Sequence, residues 1–212
     1  MVQKLYTTYN EVPNSTPVYS HSDIDRRSQV HKLCQSSADH ILNIFQPNLM
    51  IAIGGGGYVP ARILRSFLKQ PGSPNIPIQA IGLSLYESLS PTDPSAPATP
   101  VETPGTKVTR TQWLDLSSLS MESLVGKNVL IVDEVDDTRT TLEYAVRELE
   151  KDVEAMAQKI GSSERTRFFI FVLHNKDKPK KGRLPEDMIQ EGRYLAAQTV
   201  SDVWINYPWE AT

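Results

Sequence analysis

The chain has 212 residues, of which 39% are hydrophobic and 22% charged, and a formal net charge of −3. That balance suits one globular domain spanning 1–212, and the lack of a basic excess gives no nucleic-acid footprint. One cysteine, Cys34, excludes an internal disulfide and a CxxC metal site.

No run approaches the ~20 apolar residues of a spanning helix. The start, "MVQKLYTTYNEV", lacks the apolar core of a signal peptide. A cytoplasmic protein with no membrane contact is expected. Pro13 to Gln29 is polar and aperiodic, so 13–29 reads as a disordered insertion. Val30 to Phe45 repeats apolar residues at helical spacing, and Pro47 ends the pattern. Leu49 to Ile53, "LMIAI", reads as a strand covered on both sides, followed by four glycines, Gly54 to Gly57. Pro60 suits the first turn of a helix that buries Ile63, Leu64, Phe67 and Leu68.

Ile78 to Leu85 reads as a second strand. Ser88 to Lys107 holds five of the 15 prolines, with many Ser and Thr, and reads as mobile. Val129 to Val132 is a third strand. Thr140 to Ile160 is a long amphipathic helix, with Gly161 as its stop. Phe168 to Leu173 is a fourth strand, and Tyr194 to Ile205 holds a fifth near its start or its end. Strands alternating with helices imply an α/β fold with a mostly parallel central sheet flanked by helices. Ligands in such sheets bind beyond the carboxyl ends of the strands, where the turns after Ile53 and Val132 lie.

The turn after Val132 reads "DEVDDTRTT". The plain reading is a solvated acidic turn, with Asp136 and Asp137 favouring the positive end of the next helix. The functional reading uses that helix start as an anion site. Amides from Asp137 to Thr141 and the hydroxyls of Thr138, Thr140 and Thr141 can hold a monophosphate. Asp133 and Glu134 can accept hydrogen bonds from a diol or organise a divalent cation. Four consecutive glycines favour close approach of an anion to the backbone at Gly55, Gly56 and Gly57. Neither a dinucleotide fingerprint nor a P-loop fits: Val59 or Pro60 stands at the last glycine position, and no Gly-Lys-Ser/Thr follows.

"VLIVDEVDDTRTT" resembles the phosphoribosyl-pyrophosphate motif of type I phosphoribosyltransferases, with Arg139 where that family usually has a glycine or another small residue. "IAIGGGGYVPARIL" resembles their pyrophosphate loop, with Gly55 where a related bacterial type carries an arginine. "RYLAAQTVSDVWINYPWE" resembles the tail of the 6-oxopurine members. The likeness covers roughly Val30 to Glu210 and is nearest the fungal hypoxanthine-guanine and xanthine enzymes.

The resemblance implies transfer of 5-phosphoribose from phosphoribosyl pyrophosphate to a 6-oxopurine base, giving a purine nucleoside monophosphate with Mg²⁺ as cofactor. It places Asp133, Glu134, Asp137, Thr138, Arg139, Thr140 and Thr141 on the phosphoribosyl group. Asp137 is the general base, Gly55, Gly56 and Gly57 meet pyrophosphate, and Asp133, Glu134 and Glu210 approach the metal. Lys176, with Lys178 as the alternative, donates to the purine 6-oxo group. Trp204 stacks on the base, Ile205 offers backbone groups, and Trp209 packs. Ser84, Leu85 and Tyr86 begin a lid over 86–110, and residues 194–212 form a purine-binding hood with the other terminus. His174 reads as structural, and Lys180 and Lys181 as a basic surface turn. A homodimer is expected. The alternative is a non-catalytic, nucleotide-sensing regulator on the same fold.

Overall fold

The computed structural model describes residues 4–6, 30–88, 102–114 and 124–210, with side chains at all of these but 4–6, 85–88, 102–107 and 210. The expected insertion at 13–29 lies outside the described residues. The strands are β1 (Lys4–Tyr6), β2 (Leu49–Ile53), β3 (Ile78–Ser88), β4 (Glu102–Gln112), β5 (Asn128–Asp136), β6 (Arg167–Asp177), β7 (Tyr194–Ser201) and β8 (Trp204–Asn206). The helices are α1 (Val30–Ile44), α2 (Tyr58–Phe67), α3 (Thr140–Ile160) and α4 (Glu186–Gln190), with a 3₁₀ turn at Pro208–Glu210.

Six strands form one sheet in the order β4-β3-β2-β5-β6-β7, and only the β3–β4 pair is antiparallel. Alternation along each strand separates two cores. Ile51, Ile53, Val129, Ile131, Ile170 and Val172 face α3, which buries Leu142, Val146, Leu149 and Val153. Met50, Ala52, Leu130, Val132, Phe169 and Phe171 face α1 and α2. Both faces are covered, so the central strands carry unbroken apolar runs. The chain leaves β2 for β3 on one side, while β5, β6 and β7 follow on the other. The carboxyl ends of β2 and β5 therefore meet where the strand order reverses, which is where open α/β sheets bind ligands.

Three expectations are extended by the structure. β5 runs through the acids to Asp136 because its pairing with β6 continues from Asp133↔Val172 to Asp136↔Asn175. The proline-rich stretch is bracketed by strand, with β3 reaching Ser88 and β4 starting at Glu102. Pro104 is tolerated there because β4 is the edge strand. The tail holds strands at both its start and its end, and β8 pairs in parallel with β1 to make a small second sheet from the two ends of the described chain.

β4 is fastened to α3 by two side chains. Arg110 donates from Nε to the Tyr144 hydroxyl at 2.9 Å, pairs with Glu148, and lies 4.0 Å from the centre of the Trp113 ring. Trp113 donates from Nε1 to Asp152 at 2.8 Å. Arg110→Ala should cost about 1–2 kcal/mol in urea unfolding through lost stacking and pairing. Arg110→Lys should recover less than half of that, because an ammonium cannot stack and fork in the same way.

Candidate active site

Each glycine of the first loop has a reason within the protein. A Cβ on Gly57 would meet the carbonyls of Ile53 (at 2.6 Å) and Val132, so this glycine lets α2 start against β2 and β5. A Cβ on Gly56 would collide with the Glu134 carboxyl group, and one on Gly54 would lie 3.0 Å from the Ile81 carbonyl. Gly55 differs: its φ is +91°, and among the described residues nothing beyond its chain neighbours lies within 4 Å of the Cβ position. The run of four glycines thus reflects packing at three positions, and Gly55 is the one that opens outward.

Asp133 is buried, and burial beside the Glu134 carboxylate pushes its carboxyl well above the usual range. Glu134 Oε2 is buried with no hydrogen-bond partner among the described residues. Asp136, not counted among the site residues by sequence, is wholly buried and holds the next turn together. Its Oδ2 accepts from Arg139 Nε (2.9 Å) and Nη2 (2.8 Å) and from the Tyr194 hydroxyl (2.7 Å).

The resemblance put Arg139 on the phosphate. The structure instead commits its guanidinium to Asp136, 5.0 Å from the centre of the Tyr194 ring. A longer-range Coulomb contact with a ligand is not needed to explain its position. Its φ is +67°, a left-handed conformation that costs a non-glycine residue about 1–2 kcal/mol.

Lys180 is likewise not a surface cation. Its Nζ donates to the carbonyls of Asp136 (2.8 Å), Asp137 (2.9 Å) and Lys176 (2.8 Å). The amides of Lys181 and Gly182 both donate to the Thr138 carbonyl at 3.0 Å, and Glu143 donates to that of Arg139 at 2.9 Å. Every carbonyl from Asp136 to Arg139 is therefore satisfied by the protein. The start of α3 has no side-chain cap, and Thr138 and Thr140 share a hydroxyl hydrogen bond of 3.0 Å. What the turn offers a ligand is N–H and O–H donors at the positive end of a 21-residue helix. Lys181 is exposed, as expected.

Asp137 lies between two lysines. Lys178 is 2.6 Å and Lys176 3.5 Å from its carboxylate, and both also reach Asp202, at 3.0 and 3.7 Å. These partners hold the Lys178 ammonium above its ordinary pKa, with Asp137 the largest cause. Trp204 is 55% exposed, whereas the Ile205 side chain is core. Trp209 packs as expected, stacked on Tyr207 with centroids 4.8 Å apart. Ser84 is half-buried on β3, the backbones of Leu85 and Tyr86 continue that strand, and Glu210 ends the 3₁₀ turn. Among the described residues no group of three or more His, Cys, Asp or Glu could hold a metal.

His174 is structural. Tyr207 donates its single hydroxyl proton to the Glu134 carbonyl (3.0 Å), so His174 Nδ1, 2.9 Å away, is the donor to the phenol oxygen. Nδ1 therefore carries a proton, and burial, which disfavours the charged ring, lowers its pKa to about 4. No sequence pattern signals this link, which crosses 33 residues.

The chain is 55% identical over 194 residues to a hypoxanthine-guanine phosphoribosyltransferase of Schizosaccharomyces pombe, covering 91% of this chain and 88% of that one. It is 60% identical over 189 residues to xanthine phosphoribosyltransferase 1 of Saccharomyces cerevisiae, covering 87% of each. A solved structure of a hypothetical protein from Neisseria gonorrhoeae with bound ppGpp is similar at a TM-score of 0.65 and 35% identity, covering 100% of this chain and 91% of that one. No family model matches.

The neutral His174 sets a pH dependence. Its pKa falls from 6.5 in the unfolded chain to about 4 in the fold, so the unfolded state binds the extra proton between those values. Stability should be fully present above pH 6.5 and fall as pH drops towards 4, by up to about 1.4 kcal/mol per pH unit. Urea midpoints from pH 4 to 7 check this, and His174→Gln should flatten that part of the profile.

Proposed function

The chain belongs to the purine phosphoribosyltransferases represented by the fungal hypoxanthine-guanine and xanthine enzymes, and from that premise we propose how its residues divide the work. It is an enzyme of purine salvage that transfers 5-phosphoribose from phosphoribosyl pyrophosphate to a 6-oxopurine. The likeness to enzymes over most of the chain speaks against the regulator alternative.

The observation that carries the residue assignment is the turn from Asp136 to Thr141. All its carbonyls up to Arg139 are held by the protein, while the start of α3 is uncapped. That arrangement suits a dianionic 5′-phosphate on the amides and hydroxyls of Thr138, Thr140 and Thr141. Asp133 and Glu134, one pleat earlier, suit the ribose diol. The Gly55 to Gly57 loop, which follows β2 beside them, suits the pyrophosphate.

Mg²⁺ fits this donor set. Glu134 offers a buried oxygen without a partner among the described residues, and magnesium is commonly held by one or two carboxylates together with substrate phosphates. Asp133 and Glu134 would hold it, with Glu210 near its waters. When bound it neutralises the departing pyrophosphate.

In the reaction the bond from the ribose C1′ to pyrophosphate breaks as purine N9 bonds to C1′. Positive charge develops on the ribose ring, and the carboxylates of Asp133 and Glu134 favour it. The proton on N7 passes to Asp137, whose carboxylate Lys178 and Lys176 hold in place in the free protein. Lys176 donates to the 6-oxo group, and Trp204 stacks on the base while the backbone of Ile205 meets its edge. Ser84, Leu85 and Tyr86 open the lid that excludes water. A cytoplasmic homodimer is the proposed form of the enzyme. Among the described residues no helix is long and apolar enough to cross a membrane.

Pyrophosphate release with guanine, hypoxanthine and xanthine in turn tests the reading and ranks the bases, and no release with any of them would sink it. Asp137→Asn should lower kcat by roughly 10²–10⁴ while phosphoribosyl-pyrophosphate affinity changes little, the usual scale for a general base. Near wild-type kcat would remove Asp137 from that role. Trp204→Ala should weaken guanosine monophosphate binding by about 1–3 kcal/mol, measured by titration calorimetry. Unchanged affinity would place the purine elsewhere.

A further inference from the structure

Among the described residues only Gln46 and Arg139 adopt positive φ without being glycine, and only Arg139 does so inside the site. The turn around it has little room to relax. A Cβ on Gly182 would sit 2.5 Å from the Arg139 carbonyl oxygen, so the 178–182 segment presses directly on that peptide. Lys181 and Gly182 grip the Thr138 carbonyl from the same side. From the other side the Arg139 side chain folds back three residues onto Asp136, the last residue of β5. Nε and Nη2 converge on one carboxylate oxygen, the Tyr194 ring supports the guanidinium, and the Tyr194 hydroxyl fixes the same oxygen. The second oxygen faces Lys180 Nζ at 3.6 Å.

We propose that Asp136 and Arg139 are a positioning pair: their ion pair holds the 5′-phosphate turn in its left-handed shape, doing through a side chain what glycine would do through backbone freedom. Arg139 then acts on phosphoribosyl pyrophosphate without touching it. The guanidinium ties the turn to a strand end whose carbonyls Lys180 has already fixed, so the amides of Thr140 and Thr141 are preset before the phosphate arrives. This rests on the reading of Thr138 to Thr141 as the 5′-phosphate site.

The test is steady-state kinetics on the full chain with Arg139→Ala, Arg139→Gly, Asp136→Asn, the double variant Asp136→Asn/Arg139→Ala, and Thr141→Val. Arg139→Ala should raise KM for phosphoribosyl pyrophosphate roughly tenfold, the scale of one strained backbone conformation, and change kcat and the purine KM far less. Arg139→Gly should recover most of that loss, because glycine takes the left-handed conformation unaided. Asp136→Asn should match Arg139→Ala, and the double variant should be no worse than either, since both break one interaction. A direct phosphate contact predicts the opposite pattern: Arg139→Gly as impaired as Arg139→Ala, and Asp136→Asn neutral or improved. That pattern overturns the proposal, as do additive effects in the double variant.

Thr141→Val separates this inference from the site reading. A raised KM in Thr141→Val with none in Arg139→Ala defeats the pair alone; no change in either defeats the phosphate site and the pair with it. Should Asp136→Asn not fold, the contrast between the alanine and glycine variants at 139 decides the matter.

Discussion

A single ammonium group organises the centre of this enzyme. Lys180 Nζ takes the carbonyls of Asp136, Asp137 and Lys176, which belong to the ends of two neighbouring strands. A carbonyl left unpaired in a partly buried turn costs about as much as a lost hydrogen bond. Filling three of them with one cation joins the strand that carries the acids to the strand that carries the lysines. Asp137, its lysine partners and the turn that opens α3 inherit their spacing from that joint. Asp136 lies within 3.6 Å of the same cation, so the joint holds charges of both signs and is not left as a bare buried cation.

The same economy shows in the acids. Two adjacent carboxylates in a buried strand repel each other, and the raised pKa of Asp133 records that repulsion together with burial. A sheet interior would not hold such a pair for stability. Carboxylates with shifted pKa values of this kind gather at functional sites.

Much of this was legible in the sequence because period and punctuation state it directly. α3 begins at Thr140 and ends at Ile160 with Gly161 in the left-handed cap, as the apolar stripe and the glycine require. "LMIAI" is fully buried, as a two-sided strand must be. The acid pair, the threonines and the four glycines do lie together at the carboxyl ends of β2 and β5. What could not be read was the support beneath it. Tyr194 reaches Asp136 across 58 residues and Lys180 reaches it across 44, and nothing local to either residue declares a partner at such a distance. Lys180 beside Lys181 looks like solvated charge, since a run of cations usually is. The glycine run has a second cause that the sequence does not show: neighbouring carbonyls and the Glu134 carboxyl leave no room for a Cβ at three of its members. Only the spacing of Asp136 and Arg139, three residues apart, was a local signal for their pairing.

The small sheet of β1 and β8 pairs Lys4 with Trp204, at opposite ends of the described chain. Contacts of such sequence separation form late, because a long loop must close before they stabilise anything. During synthesis β8 follows the glycine loop, the acids and the turn before α3. A nascent chain therefore completes all six strands of the main sheet before β1 has a strand to pair with. The strand made first is thus the one whose partner is made last among the described strands.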